Sequence, residues 1–291
     1  MTLVRVAPAL FALAVAACGA PVARRRIAPA LAARLLTLIA VSVAVSVVGA
    51  AVLLATGAGG PAGLGRWLAW CRQSVPSHDA IPTPSTIAGM VLLGAMGVGV
   101  WRFVRRSRRA AARWGRPDGL QVVDLADPAA YTVRGASGQG VVSTGLLREL
   151  SARQQRALFD HEKARMRLRH SRYVRLVSVS AAAVPLLRPV AELVRLATAR
   201  WADEIAAAAV GNRADVATAI ARAAAAGAPA VSLDGSDVAT RVQALLEAPP
   251  SRQSRWRSTI ALALVAVTCL AAAGLQLRGL VEYGLHICGA G

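Results

Sequence analysis

Residues 158–165 read Leu158-Phe159-Asp160-His161-Glu162-Lys163-Ala164-Arg165, and the way this octet sits in its helix decides the fold. Leu147, Leu150, Leu158, His161, Arg165 and Leu168 recur at intervals of three and four, which puts an imidazole and a guanidinium on the face that turns inward. An inward Arg needs a partner, because stranding its charge costs several kcal/mol. Upstream, Ser151 and Gln154 have capping-box spacing, which predicts a helix from Ser151 to about His170. Before it lie three β-branched pieces, Leu120–Leu125, Tyr131–Val133 and Gly140–Thr144, separated by Asp127-Pro128 and by the loop from Gly135 to Gly140. These read as a small β-meander. Downstream, Tyr173–Val190 is mostly apolar but interrupted by Arg175, Pro185, Arg188 and Pro189, the pattern of a core helix or of one lying shallowly on a membrane. Two helices, about Ala191–Val210 and Arg213–Ala225, then a Gly/Pro/Ser stretch and a short helix Asp237–Ala248, complete this part.

The whole chain has 291 residues, with 34 Lys plus Arg against 15 Asp plus Glu, a formal charge of +19. Yet 55% of its residues are hydrophobic and its mean hydropathy is +0.48. Such hydrophobicity excludes intrinsic disorder, four cysteines are too few for a disulfide scaffold of this length, and no Gly period marks collagen. A membrane protein remains. Leu35–Ala58 runs 24 residues without a charge, enough to cross about 30 Å of hydrocarbon as a helix. Ile81–Trp101 and Ser258–Leu277 are also uncharged, and Val6–Ala23 is a shorter run carrying Pro8 and Pro21. These predict about four transmembrane helices, over 6–23, 35–58, 84–104 and 258–277, with the lipid bilayer as partner. The first segment also fits a signal peptide, with Arg5 at its basic end and Val15-Ala16-Ala17-Cys18 resembling a lipoprotein cleavage box. The directly following Arg24, Arg25 and Arg26 favour an anchor whose far end is cytoplasmic.

Continuing by the positive-inside rule, the N-terminus and the loop around Trp67, Trp70 and Cys71 are external. The cluster Arg102, Arg105, Arg106, Arg108, Arg109, Arg113 and Arg116 is internal, so residues 105–256 form a cytoplasmic domain and 257–291 return through the bilayer to a short external tail. Much of the charge then serves as orientation signal and as attraction to anionic lipid, about 1 kcal/mol per basic residue near the surface, which removes most of the motive for nucleic-acid binding. Cys71 and Cys288 fall on the same external face, where a disulfide and two unpaired thiols fit equally well, while Cys18 and Cys269 fall inside spans. Arg in place of almost every Lys, Lys163 being the exception, and abundant Ala fit a GC-rich bacterial genome and a multi-pass cell-membrane location.

A zinc peptidase helix places two His at i and i+4 on one face, with Glu at i+1 as general base. His161 and Glu162 supply the first two of these, and Arg165 stands where the second His would be. Several neighbouring stretches add to the pattern. A span and a basic stretch precede Asp118–Val123, Ala130-Tyr131-Thr132-Val133 and Gly140-Val141-Val142-Ser143-Thr144-Gly145-Leu146. Leu150-Ser151, the octet, Trp201-Ala202-Asp203-Glu204 and Val210-Gly211-Asn212-Arg213 follow. Over roughly residues 85 to 225 the chain resembles the integral-membrane zinc metallopeptidases of the BlaR/MecR and HtpX type.

The resemblance implies an α+β, mostly helical, multi-pass membrane protein with a zincin-like cytoplasmic domain, a zinc cofactor and endopeptidase activity. It makes His161 the first metal ligand and Glu162 the catalytic base, aligns Ala199 with the third ligand, and matches Asp203 to the family's Ala-Asp, where its carboxylate is the remaining candidate ligand. Because Arg165 and Ala199 occupy two ligand positions, catalysis is expected to be impaired or lost. The alternative is a non-catalytic pseudopeptidase that binds a peptide or membrane-protein partner in a regulatory role, pairing an extended segment with the strand at Gly140–Thr144. As the alternative to a bound metal, Arg165 is expected to take the place of zinc, approaching Glu162 and reaching Asp203, replacing coordination with charge-assisted hydrogen bonds. His170, nine residues after His161 and on the far side of a straight helix, reads as a surface residue among Arg167, Arg169 and Arg172.

Overall fold

A computed structural model of the chain describes residues 27–55, 84–113, 120–128, 130–133, 139–227, 235–247 and 252–289. It is mostly helical, with one small sheet. Among the described residues three helices are long and apolar enough to cross a membrane, over Pro29–Ala55, Pro84–Arg109 and Trp256–Glu282. They belong to α1 (Pro29–Ala55), α2 (Pro84–Arg113) and α9 (Arg252–Gly289). The 27 residues of α1 make about 40 Å of helix, more than the hydrocarbon thickness requires. The expected segment 6–23 lies outside the described residues.

Helix α1 is the hub of these three. Its Thr37 and Ser46 hydroxyls donate to the carbonyls of Ala33 and Ser42 within the same helix, so neither of these two is buried unpaired. Gly49 packs against Gln276 and Leu280, Gly279 against Leu53, and the Gln276 side chain donates to the Ser46 carbonyl at 3.4 Å, so α9 runs alongside α1 in the same direction. At the other edge a Cβ on Gly89 would collide with the backbone of Leu54 and Ala55, which brings the start of α2 against the end of α1.

Three strands follow, β1 (Leu120–Val123), β2 (Ala130–Val133) and β3 (Gln139–Ser143), in the order β1-β3-β2. This is not a meander, because β3 enters the middle, parallel to β1 and antiparallel to β2. The exits of β1 and β3 are tied together. Thr144 Oγ1 donates to Asp124 Oδ1 at 2.9 Å, the Gly145 amide donates to the Leu125 carbonyl at 2.9 Å, and Gly145 touches the backbone of Ala126 so closely that a Cβ would not fit. The parallel arrangement also buries Val141 and Val142 of the central strand. With both sides of β3 occupied, the free edges of the sheet belong to β1 and β2, and the expected pairing of a peptide with residues 140–144 has no open strand to use.

Ser143 caps the short helix α3 (Thr144–Arg148), accepting from the Leu146 amide. Helix α4 (Ala152–Arg167) starts at the predicted capping box: Ser151 Oγ accepts from the Gln154 amide and Gln154 Oε1 accepts from the Ser151 amide. It stops before His170, because Arg169 takes a left-handed conformation (φ 53°) that turns the chain into α5 (His170–Ala183). A 3-10 turn over Pro185–Leu187 reverses it into α6 (Arg188–Val210), then α7 (Arg213–Ala225) and α8 (Gly235–Leu246). The stretch 173–190 is therefore most of α5, the reversing turn and the start of α6, one arm and the bend of a helical hairpin. Val177, Ala181, Leu187, Val190 and Val194 share one core with Leu36, Ile39, Ala40 and Val43 of α1. Two smaller cores, one around Val142, Leu146 and Leu158 and one around Ala206, Ile220 and Leu245, hold the sheet and the last helices onto α4.

Candidate functional site

Helix α4 delivers His161 and Glu162, both buried, to a surface formed by α6 and α8. His161 Nδ1 lies 2.8 Å from Asp203 Oδ1, so the imidazole N–H donates to a carboxylate that is itself fully buried on α6. The same carboxylate receives Arg241 from α8 as a fork, Nε to Oδ2 at 2.8 Å and a terminal nitrogen to Oδ1 at 2.8 Å. This is bidentate geometry, the strongest a guanidinium makes. Burial would push the Asp203 carboxyl up, but the charge and hydrogen bonds of Arg241 and then of His161 outweigh it and hold the group well below the usual carboxylate range. Burial likewise pulls Arg241 down, and Asp203, with smaller help from Glu162 and Asp237, more than restores its charged form.

Helix α8 is registered against α6 by a second clamp. Arg213, at the start of α7, grips Glu204 through both terminal nitrogens at 2.6 and 2.9 Å. Its Nε and a terminal nitrogen also donate to the carbonyls of Leu245 and Ala244 at the end of α8, where a helix has carbonyls to satisfy. Arg241 thus projects from a helix fixed at its C-terminus onto the residue just before Glu204.

Arg165 does meet Glu162, at 3.2 Å. Asp203 accepts from Arg241 and His161, so the expected reach of Arg165 to Asp203 is replaced by that of Arg241. Ala199 stands one turn before Asp203 on α6, half-buried, and offers a methyl group. Of the expected residues, His161, Glu162, Arg165 and Asp203 are brought together, with Arg241 added. Its signal was present in the sequence: Val238, Val242 and Leu245 form an apolar stripe on α8, and Arg241 falls within it, the same kind of inward placement that marks Arg165.

The position of His170 corrects the surface reading. The turn at Arg169 folds α5 back, and His170 is buried with its ring 4.8 Å from that of Trp201 on α6. Neither ring nitrogen has a hydrogen-bond partner among the described residues. Burial, then the positive charge of Arg165 and the electrostatic influence of His161, lower its pKa to about 3 against a smaller opposing effect of Glu162, so the ring is neutral. Trp201 also carries Arg34 of α1 over its ring at 5.3 Å and Tyr173 at its edge, linking the site to the membrane-type helices.

Cys71 lies outside the described residues and the side chain of Cys288 is likewise not described, so their pairing falls outside this structure; Cys269 is buried. Among the described residues no group of three or more His, Cys, Asp or Glu side chains is arranged to hold a metal ion. Comparison with protein-family models, with curated proteins and with solved structures gives no match.

Proposed function

We propose that the chain is a membrane-anchored pseudopeptidase: a protein built like the integral-membrane zinc metallopeptidases that lacks peptide hydrolysis and uses its zincin-like domain to bind a peptide or membrane-protein partner in a regulatory role. One observation carries this reading. The carboxylate of Asp203, which would have to turn to a metal, is already neutralised by a bidentate guanidinium and an imidazole N–H, and Glu162 is paired with Arg165. A cation replaces a cation. With Arg165 and Ala199 at the remaining ligand positions, the donor set does not fit zinc.

The placement of the domain follows from the same reading. The basic residues after Trp101, the parallel course of α1 and α9 and the return of α2 beside α1 support a multi-pass cell-membrane protein of bacterial type with residues 105–256 in the cytoplasm. The partner is then reached from the cytoplasmic side, and the free edges at β1 and β2 are where an extended segment would add a strand.

One feature favours the competing reading of a zinc endopeptidase with Glu162 as base. Asp203 holds His161 by Nδ1, as outer carboxylates hold ligating imidazoles. The two readings separate in a cleavage assay on an unstructured protein substrate with added zinc, comparing the unmodified chain with Glu162→Gln. The proposal expects no cleavage above buffer in either. Cleavage that Glu162→Gln abolishes would overturn it.

A further inference from the structure

We propose that the bend between α5 and α6 is a lipid-binding element that inserts at the boundary between headgroups and acyl chains of an anionic leaflet. The inference rests on the membrane-spanning reading of α1 and α2. The bend lies at the depth of the bilayer and not below it. Gly99 of α2 and the Ala182 carbonyl of α5 are in such close contact that no Cβ fits between them. Gly99 precedes Trp101 by two residues, about 3 Å along the helix. Trp101 is exposed, Arg105 sits over its ring at 5.0 Å, and Arg102 to Arg109 follow, which is how a span ends at an interface. The end of α5 therefore meets α2 on the apolar side of that marker.

The chemistry of the bend fits the same level. Leu187 and Val184 anchor it in the core shared with α1, while Leu186 points away with 74% of its surface exposed and Leu176 is also exposed. An isolated apolar tip between two prolines, Pro185 and Pro189, has nothing apolar to cover it within the described chain, and the lipid that covers the exposed faces of α1 and α2 continues up to it. Arg175 and Arg188 are exposed beside these leucines. A guanidinium is costly at the bilayer centre, but on a long stem beside the phosphates it is favourable, so the two Arg residues fix a shallow depth and select anionic headgroups. Within the hairpin, Arg195 donates to Ser178 Oγ at 3.3 Å, which keeps the two helices together at the level where they leave the membrane.

The test places a single cysteine with an environment-sensitive fluorophore at residue 186, 91 or 208, in a chain whose native cysteines are replaced by alanine, in vesicles of phosphatidylcholine and phosphatidylglycerol. Val91 is 66% exposed on α2 and serves as the lipid reference, and Ala208, exposed near the far end of α6, as the aqueous one. The label at 186 is expected to be quenched by brominated acyl chains, to lose quenching by aqueous iodide relative to 208, and to regain it with Arg175→Glu and Arg188→Glu combined. Iodide quenching at 186 equal to that at 208, with 91 still quenched by lipid, overturns the proposal. So does protection of 186 from both quenchers, which would mean that a protein surface covers the bend. Iodide quenching at 91 as well would overturn the membrane-spanning reading itself.

Discussion

His161 Nδ1 and Asp203 Oδ1 lie 2.8 Å apart and join α4 to α6 at a point where Arg241 arrives from α8, so three helices meet on one carboxylate. The arrangement satisfies a fully buried charge with three N–H donors from two residues, which is the condition under which such a charge is tolerable. It also closes the site electrostatically, since an added divalent cation would face guanidinium groups at Arg165 and Arg241 that stay charged.

Removing Arg241 should leave Asp203 buried and under-paired. Arg241→Met is expected to cost about 3–5 kcal/mol of stability, and combining it with Asp203→Asn should recover most of the loss, because the charge goes with its partner. Thermal unfolding of the detergent-purified single and double variants measures both. An Arg241→Met protein that melts with the unmodified chain would show that the fork contributes nothing.

His170 makes the fold acid-sensitive. Its folded pKa is lowered to about 3 while the unfolded chain titrates near its ordinary value of 6.5. Between these values the unfolded state binds more protons, so stability is full above pH 6.5 and falls as the pH drops below it, by up to about 1.4 kcal/mol per unit. His170→Phe keeps a ring against Trp201 and removes the titration. Melting temperatures measured from pH 8 to 5 should fall more steeply for the unmodified chain than for the variant, and equal slopes would remove His170 from the account.

The join between β1 and β3 predicts a sharp difference between two glycines. A Cβ on Gly145 would strike the backbone of Ala126 and Asp127, whereas a Cβ on Gly94 meets nothing within 4 Å. Gly145→Ala should therefore destabilise by about 1–3 kcal/mol through forced movement of the strand ends, and Gly94→Ala should be near neutral. Urea unfolding of the two variants in the same detergent compares them directly, with equal midpoints as the contradicting result.

Local features were legible in the sequence and long-range ones were not. Span 35–58 stands out because its charge-free length is itself the physical requirement, and the start of α4 stands out because Ser151 and Gln154 satisfy each other across one turn. The same logic of inward placement that found His161 and Arg165 applies to Arg241, but nothing in a linear pattern says which buried charge will meet which, 38 residues apart. The sheet order depends on contacts of the same kind, Thr144 with Asp124 and Gly145 with Leu125, and could not be read from alternation alone. The turn before His170 was hidden for a different reason. Its left-handed residue is Arg169, with neither glycine nor proline to mark it, and so a straight helix placed His170 on the wrong side.

The most direct measurement is the zinc content of the unmodified, detergent-purified chain, determined by elemental analysis after dialysis against micromolar zinc. The proposed occupation of the Asp203 carboxylate by Arg241 in place of a metal predicts no bound zinc above the dialysis buffer. A content of about one zinc ion per chain, with ligands completing a tetrahedral site, would contradict it and favour the competing zinc-endopeptidase reading.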